Sequence, residues 1–137
     1  MFENIIDMQE LLFTIYYFVV LGGVSIVCMW IFSLITPYND FELIRNGNSA
    51  VAIQFAGKIL GVTYIMSAAV NTNDSLLGAA VWGIIGFILM IIGYFIFEIV
   101  TPKLHVKEEM EKGAVSVGII AAAISLAISF IISGAIS

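Results

Sequence analysis

The sequence predicts an all-α membrane protein whose four transmembrane helices form two tandem parallel-repeat hairpins. Three observations predict this fold: an apolar composition, four long apolar stretches and a short motif that occurs twice. Hydrophobic residues make up 61% of the 137 residues, and charged residues only 11%. A soluble domain of this size could not bury that much apolar surface, because its ratio of surface to volume is too high. The chain is therefore expected to lie in the hydrocarbon of a bilayer.

Four stretches are long enough to cross that hydrocarbon, which takes about 20 apolar residues. They cover residues 11–35, 49–70, 76–100 and 114–136. The polar residues between the second and third stretches suit a tight turn. The first ten residues include acidic side chains and no Lys or Arg. The first stretch is therefore predicted to be an uncleaved anchor and not a signal peptide.

A motif that occurs twice indicates an internal duplication. Thr36-Pro37 follows the first stretch and Thr101-Pro102 follows the third, 65 residues later, while Gly47 recurs as Gly113 after 66. The pattern predicts one membrane domain over residues 1–137, with a first hairpin repeat at 11–70 and a second at 76–136. The two would be related by an axis along the membrane normal. The alternative is that prolines after helices occur here without duplication.

Positive charges predict the orientation. Arg45 lies in the first long connection, and Lys103, Lys107 and Lys112 lie in the second, whereas the termini and the short turn have no Lys or Arg. Cytoplasmic loops carry an excess of such residues. Both long connections are therefore predicted to face the cytoplasm, with both termini outside.

The first long connection has the pattern of a short interfacial helix, with a solvated loop as the alternative. Asn39 or Asp40 can cap a turn in which Phe41 and Ile44 share an apolar face. Such a helix would lie with its apolar side on the membrane.

The second long connection repeats this pattern. Val106 and Met110 share a face, and Glu108 and Lys112 have the spacing of an ion pair. The acidic residues of the two connections are expected to form a hydrated face: Asp40, Glu42, Glu108, Glu109 and Glu111.

Lys58 is the most informative polar residue, because it lies about ten residues into the second stretch. An ammonium at that depth costs about 2.5–3.5 kcal/mol. Gln54 lies one turn away on the same face, and Glu98 is the other formal charge within a stretch. One interpretation is an ion or substrate path or an intramembrane pair of Lys58 with Glu98. The other is a packed polar contact, with Lys58 reaching a wet crevice or the membrane surface.

Small residues at intervals of four predict close helix packing. The spacing leaves open whether these faces meet within one protomer or between protomers. The residues are Gly57 and Gly61 in the second stretch, Ala79 and Gly83 in the third, and Ala121, Ser125, Ser129 and Ser133 in the fourth.

No motif of an enzyme, metal site or cofactor site is present in the sequence, so we expect no catalytic residues, metal or cofactor. The chain also has no basic stripe, which argues against nucleic acid as a partner. Cys28 is predicted to pack in the interior, and His105 to be solvated.

A resemblance to a known family is carried by residues 35–50, which read ITPYNDFELIRNGNSA. With the spacing of Gly57 and Gly61 and the second Thr-Pro step, this run resembles the bacterial YjfL-like family, a group of unknown function. The resemblance implies an inner-membrane protein of four helices in two tandem repeats. It also implies partners among membrane-associated stress proteins of the phage-shock and flotillin kind. The sequence departs from the family pattern at Lys58, Glu98 and residues 112–114.

Two functions follow as hypotheses. The first is a non-enzymatic membrane protein that forms homo-oligomers or a scaffold in envelope maintenance or stress. The second is a small ion channel or transporter with a path lined by Gln54 and Lys58.

Overall fold

The computed structural model of the protein describes residues 7–36 and 40–136, which are helical and contain no strand. The helices α1, α3, α4 and α6 are long and apolar enough to cross a membrane. This confirms the prediction of an all-α membrane protein with four transmembrane helices. The elements are α1 (Met8–Ile35), α2 (Asp40–Arg45), α3 (Ser49–Thr72), α4 (Leu76–Val100), a 3₁₀ turn (Pro102–Leu104), α5 (Val106–Lys112) and α6 (Val115–Ile136).

Polar side chains cap the N-termini of three of the long helices, where the chain enters an apolar stretch. The Asp7 carboxylate accepts a hydrogen bond from the backbone amide of Gln9 at 3.0 Å. The Asn48 side-chain oxygen accepts from the amide of Val51 at 3.1 Å, and the Ser75 hydroxyl accepts from that of Gly78 at 3.0 Å. Such caps satisfy amides that have no partner within the helix.

The described residues of the two long connections lie at one end of the bundle, which we call the connection face (residues 36, 40–48 and 101–114). Each ends in a glycine with positive φ, Gly47 at +89° and Gly113 at +82°. The amides of these glycines and of the residues that follow them bond back to the preceding short helix in the same pattern. This is the Schellman turn, in which the residue with positive φ is usually glycine because other residues rarely adopt that φ. The duplication itself stays a prediction, and Pro37, Tyr38 and Asn39 lie outside the described residues.

The second connection forms the predicted short helix, α5. Val106 and Met110 are both buried, but they pack against Ala50 and Val51 of α3, so the prediction that this face lies on the membrane was wrong. The ion-pair prediction was wrong, because Lys112 lies 3.9 Å from Glu109. The three-residue spacing brings that carboxylate to the ammonium on the exposed side of α5.

The first connection also forms a short helix, α2, but its acidic face differs from the prediction. Asp40 is fully buried, so its assignment to a hydrated face was wrong. Asp40 is the first residue of α2, which packs against α3. Its carboxyl interacts with the charge of Lys58. On the same helix, Phe41 packs edge-on against Phe55 of α3.

Helix α3 is central, and its most extensive contact is with α6. A Cβ atom on Gly57 would lie 2.7 Å from the Cα of Ala122. A Cβ on Gly118 would lie 2.5 Å from the carbonyl oxygen of Ala50. The two backbones therefore touch, and larger residues would separate them.

The predicted small-residue faces are buried within the single chain, which answers the question that the spacing left open. A Cβ on Gly61 would meet Met90 of α4 at 2.8 Å, and one on Gly83 would meet Met66 of α3 at 2.5 Å. The other small residues of the pattern are likewise buried: Ala79, Ala121, Ser125, Ser129 and Ser133.

Helix α1 packs on the bundle more loosely. Its buried residues are Leu21, Cys28, Met29 and Phe32, which agrees with the packing role predicted for Cys28. Beside them, an apolar groove of about 600 Å³ separates α1 from α4. Cys28 and Phe87 form the floor of this groove, and the half-exposed Val27 and Ile88 lie on its rim.

Candidate functional site

Gln54 and Lys58 lie one turn apart on the face of α3 that points into the bundle. Gln54 is fully buried and the Lys58 side chain is 1% exposed. Lys58 therefore does not reach water within the described protomer. An ammonium so deeply buried must be stabilised by its protein neighbours.

The Lys58 ammonium is held between α1 and α4. It donates a hydrogen bond to the Thr36 hydroxyl at 3.4 Å. It also lies 4.4 Å from the ring centroid of Phe32 and 5.0 Å from that of Tyr94. A cation over an aromatic face gains about 0.5–2 kcal/mol. These contacts offset part of the cost of burial and join the end of α1 to the centre of the bundle.

Tyr94 connects the other two predicted polar residues. The Gln54 side-chain amide donates to the Tyr94 hydroxyl, and that hydroxyl bonds to the carboxyl of Glu98 one turn further along α4. The predicted direct pair of Lys58 with Glu98 is not formed, since the described residues contain no ion pair between them within 4.0 Å. Their charges still interact, but across the Tyr94 ring.

Asp40 completes what we call the polar cluster: Asp40, Gln54, Lys58, Tyr94 and Glu98. Neither carboxyl oxygen of Asp40 forms a hydrogen bond of good geometry with the described residues. Burial raises the pKa of the Asp40 carboxyl above its ordinary value, whereas the Lys58 charge and the Ser33 hydroxyl oppose that rise. The cluster thus holds one cationic and two acidic groups within the same low-dielectric region.

Sequence reasoning missed Tyr94 and Asp40 as members of the cluster. Tyr94 had a usable signal, because it lies four residues before Glu98 on one helix face. Asp40 had none, because its burial depends on how α2 packs against α3.

A crevice of about 200 Å³ lies at the connection face and reaches Glu98 of the polar cluster. Glu98 is half-buried and forms its inner wall, and the exposed residues of the second connection form its mouth. On the far side of the cluster, α3 and α4 bury a layer of apolar side chains, namely Val62, Ile65, Met66 and Met90. The buried Ser125 and Ser129 of α6 lie next to this layer, beside Gly61.

The described side chains limit the chemistry of this site. They include no group of three or more His, Cys, Asp or Glu residues that could hold a metal ion. The polar cluster can hold charge and exchange protons through its carboxyl groups. The groove between α1 and α4 can receive only an apolar occupant, such as a helix or an acyl chain.

Comparisons with known proteins agree on the class of the chain. Residues 5–136 match the family described as Domain of Unknown Function (DUF350). The UPF0719 transmembrane protein YshE of Bacillus subtilis (strain 168) is 36% identical over 118 residues, which are 83% of this chain and 88% of the relative. The UPF0719 inner membrane protein YjfL of Escherichia coli (strain K12) is 31% identical over 97 residues, which are 71% of this chain and 73% of the relative. No solved structure matches the chain.

Proposed function

The chain belongs to the DUF350 family of small membrane proteins, and from this premise we propose that it is a non-enzymatic assembly protein that forms homo-oligomers. It would act as a scaffold in the maintenance of the bacterial envelope, in the inner membrane. The groove between α1 and α4 is the observation that carries this proposal. Its volume of about 600 Å³ and its apolar lining suit a helix of a second copy.

The internal packing of the small residues supports the choice of this surface. Membrane helices associate where small residues let their backbones approach. Since the Gly57 and Gly118 faces already contact Ala122 and Ala50 in the same chain, they are not free to join protomers. The groove remains as the wide concave surface on the lipid-facing side.

A groove-filling variant tests the proposal. Nothing lies within 4 Å of a Cβ built on Gly23, which lines the groove, so Gly23→Phe fits the protomer while blocking an occupant. Gly134 on α6 is equally open and lies away from the groove, so Gly134→Phe is the matched control. In lipid nanodiscs, mass photometry should give oligomers for the unaltered chain and the control, and monomers for Gly23→Phe. Oligomers that survive Gly23→Phe would refute the interface.

Crosslinking in native membranes tests the same surface without purification. In a Cys28→Ala background, Ile88→Cys on the groove rim should give a dimer with a bifunctional thiol reagent. Ile131→Cys on the lipid-facing side of α6 is the control and should stay monomeric. Equal yields from the two positions would indicate random collision.

A second candidate function is a small ion channel or transporter with a path lined by Gln54 and Lys58. The crevice that reaches Glu98 favours it, because it gives the polar cluster access from one side. The apolar layer of Val62 and Ile65 would have to open for transport. Flux through liposomes that is lost in Lys58→Met, in protein that is still folded and assembled, would favour this function over the scaffold.

The envelope role and the partners rest on the family resemblance. Membrane-associated stress proteins are the proposed partners, and no nucleic acid is expected. A deletion strain should lose growth under membrane-perturbing conditions and regain it with the unaltered chain. Gly23→Phe should fail to restore growth while Gly134→Phe succeeds. Restoration by both would separate the envelope role from assembly.

The proposed orientation has both connections in the cytoplasm and both termini outside. In a Cys28→Ala background, Lys107→Cys should not react with an impermeant thiol reagent added to intact cells. It should react after the membrane is opened. Reaction in intact cells would invert the orientation.

A further inference from the structure

The polar cluster has an unequal count of charges. Lys58 supplies one positive charge, whereas Asp40 and Glu98 each supply a negative charge when ionised. The Lys58 charge acts on both carboxyls. Fully ionised, the cluster therefore carries one uncompensated negative charge in a region where Asp40 is fully buried and Glu98 is half-buried.

An uncompensated charge of this kind is expensive. An isolated carboxylate in a low-dielectric interior costs so much that the group takes up a proton instead. Among the described residues, no other cation lies within 4.0 Å of Asp40 or Glu98. Lys107 and His105 line the crevice together with Glu98, but both are exposed to water, as is the acidic Glu108 beside them.

The carboxyls of Asp40 and Glu98 differ in their hydrogen bonds. Glu98 bonds to the Tyr94 hydroxyl, whose oxygen already accepts from Gln54, so the Tyr94 proton is free to point to Glu98. This arrangement favours an ionised Glu98. Asp40 has no hydrogen bond of good geometry to a described donor, and it is the more deeply buried group.

From this arrangement we propose that the polar cluster is a binding site for one exchangeable proton, shared between Asp40 and Glu98 and open to water through the crevice beside Glu98. The proton resides mainly on Asp40, while Glu98 balances Lys58. The two carboxyls titrate as one coupled unit, because the same ammonium interacts with both. The site does not depend on whether the chain forms oligomers.

Infrared spectroscopy of the unaltered chain in a detergent without carbonyl groups measures this proton directly. At neutral pH the exposed carboxyls are ionised, so a carbonyl-stretch band of a protonated carboxylic acid reports a buried one. We expect a band equivalent to one carboxyl per chain. The band should shift in deuterated buffer, since the crevice admits exchange. No such band at neutral pH would overturn the proposal without recourse to any variant.

Variants of the charged residues then test whether the band comes from the polar cluster. Asp40→Asn and Glu98→Gln should each abolish the band, because a single remaining carboxylate is balanced by Lys58. Lys58→Met should raise the band to the equivalent of two carboxyls, because both then become neutral. Glu111→Gln, an exposed residue of α5, is the control and should leave the band unchanged. Circular dichroism confirms that each variant compared is folded.

Two further results would overturn the proposal. A band that persists in both Asp40→Asn and Glu98→Gln would belong to a carboxyl outside the cluster. A band that disappears when sodium is added at constant pH would show that a metal cation, and not a proton, balances the charge.

Discussion

Helices α6 and α1 both pack on α3, but by different physical means. Helix α6 meets α3 through small residues, so that the two backbones touch at Gly57 and Gly118. Helix α1 has no such contact. Its connection end is held by the Lys58 ammonium, which bonds to Thr36 and lies over the Phe32 ring. Further along, an open groove separates α1 from α4.

This difference indicates how stability and function are divided in the bundle. Close backbone packing gives many dispersion contacts and does not depend on pH. A buried polar anchor is sensitive to the protonation of its groups. Helix α6 should therefore behave as a fixed part of the core, whereas the position of α1 should respond to the charge of the polar cluster.

The largest expected effect tests the fixed side of this comparison. Gly57→Ala should lower the free energy of unfolding by about 3 kcal/mol, because the new Cβ would overlap the backbone of Ala122. Gly134→Ala, where a Cβ meets nothing within 4 Å, should change it by less than about 0.5 kcal/mol. Unfolding in mixed micelles, followed by circular dichroism, measures both. Equal effects would show that the close approach of α3 and α6 is unimportant.

The next largest effect is expected at Lys58, which holds the connection end of α1. Lys58→Met should cost about 2 kcal/mol at neutral pH, since it leaves the carboxyls without their cation. It should also loosen α1, so that Cys28, which is 4% exposed, reacts faster with a thiol reagent. Lys112→Met, on the surface of α5, is the control for removal of a lysine. A slow Cys28 reaction in Lys58→Met would show that Lys58 does not hold α1.

A smaller effect is expected where the two connections meet. Asn48 caps α3, and its side-chain amide donates to the carbonyl oxygen of Met110 at 2.7 Å. Asn48→Ala therefore loses a cap and a bridge. Ser75→Ala loses only a cap, which costs about 1 kcal/mol. The same micelle assay should give a larger loss for Asn48→Ala, and equal losses would mean that the bridge to Met110 contributes nothing.

The smallest effect is a dependence on pH. Burial raises the pKa of Asp40 above its ordinary value of 3.8. The folded state therefore keeps its proton at a pH where the unfolded state has lost it, so stability should fall as pH rises through the folded pKa. Asp40→Asn should remove this contribution, and Glu111→Gln should retain it. An unchanged pH profile in Asp40→Asn would assign the dependence to another group.

Much of the fold was predictable from local sequence. Residues 49–70 and 76–100 were identified as spanning stretches from length and hydropathy, and the structure has Ser49–Thr72 and Leu76–Val100. Less of the candidate site was predictable. Gln54, Lys58 and Glu98 were found because a polar residue is conspicuous in an apolar stretch. Asp40 was assigned to a solvated acidic face, since nothing in the local sequence marks it as buried.

The number of membrane-spanning helices, the polar positions within them and the faces on which small residues lie can all be read from the amino-acid sequence. Hydrocarbon imposes these features on each segment separately, because every backbone polar group must be satisfied within its own helix. Which faces meet is known only from the folded protein. There the Gly57 face packs against α6 in the same protomer, a groove lies between α1 and α4, and Asp40 lies near enough to Lys58 for their charges to interact. These outcomes depend on contacts between distant segments, which no local pattern encodes.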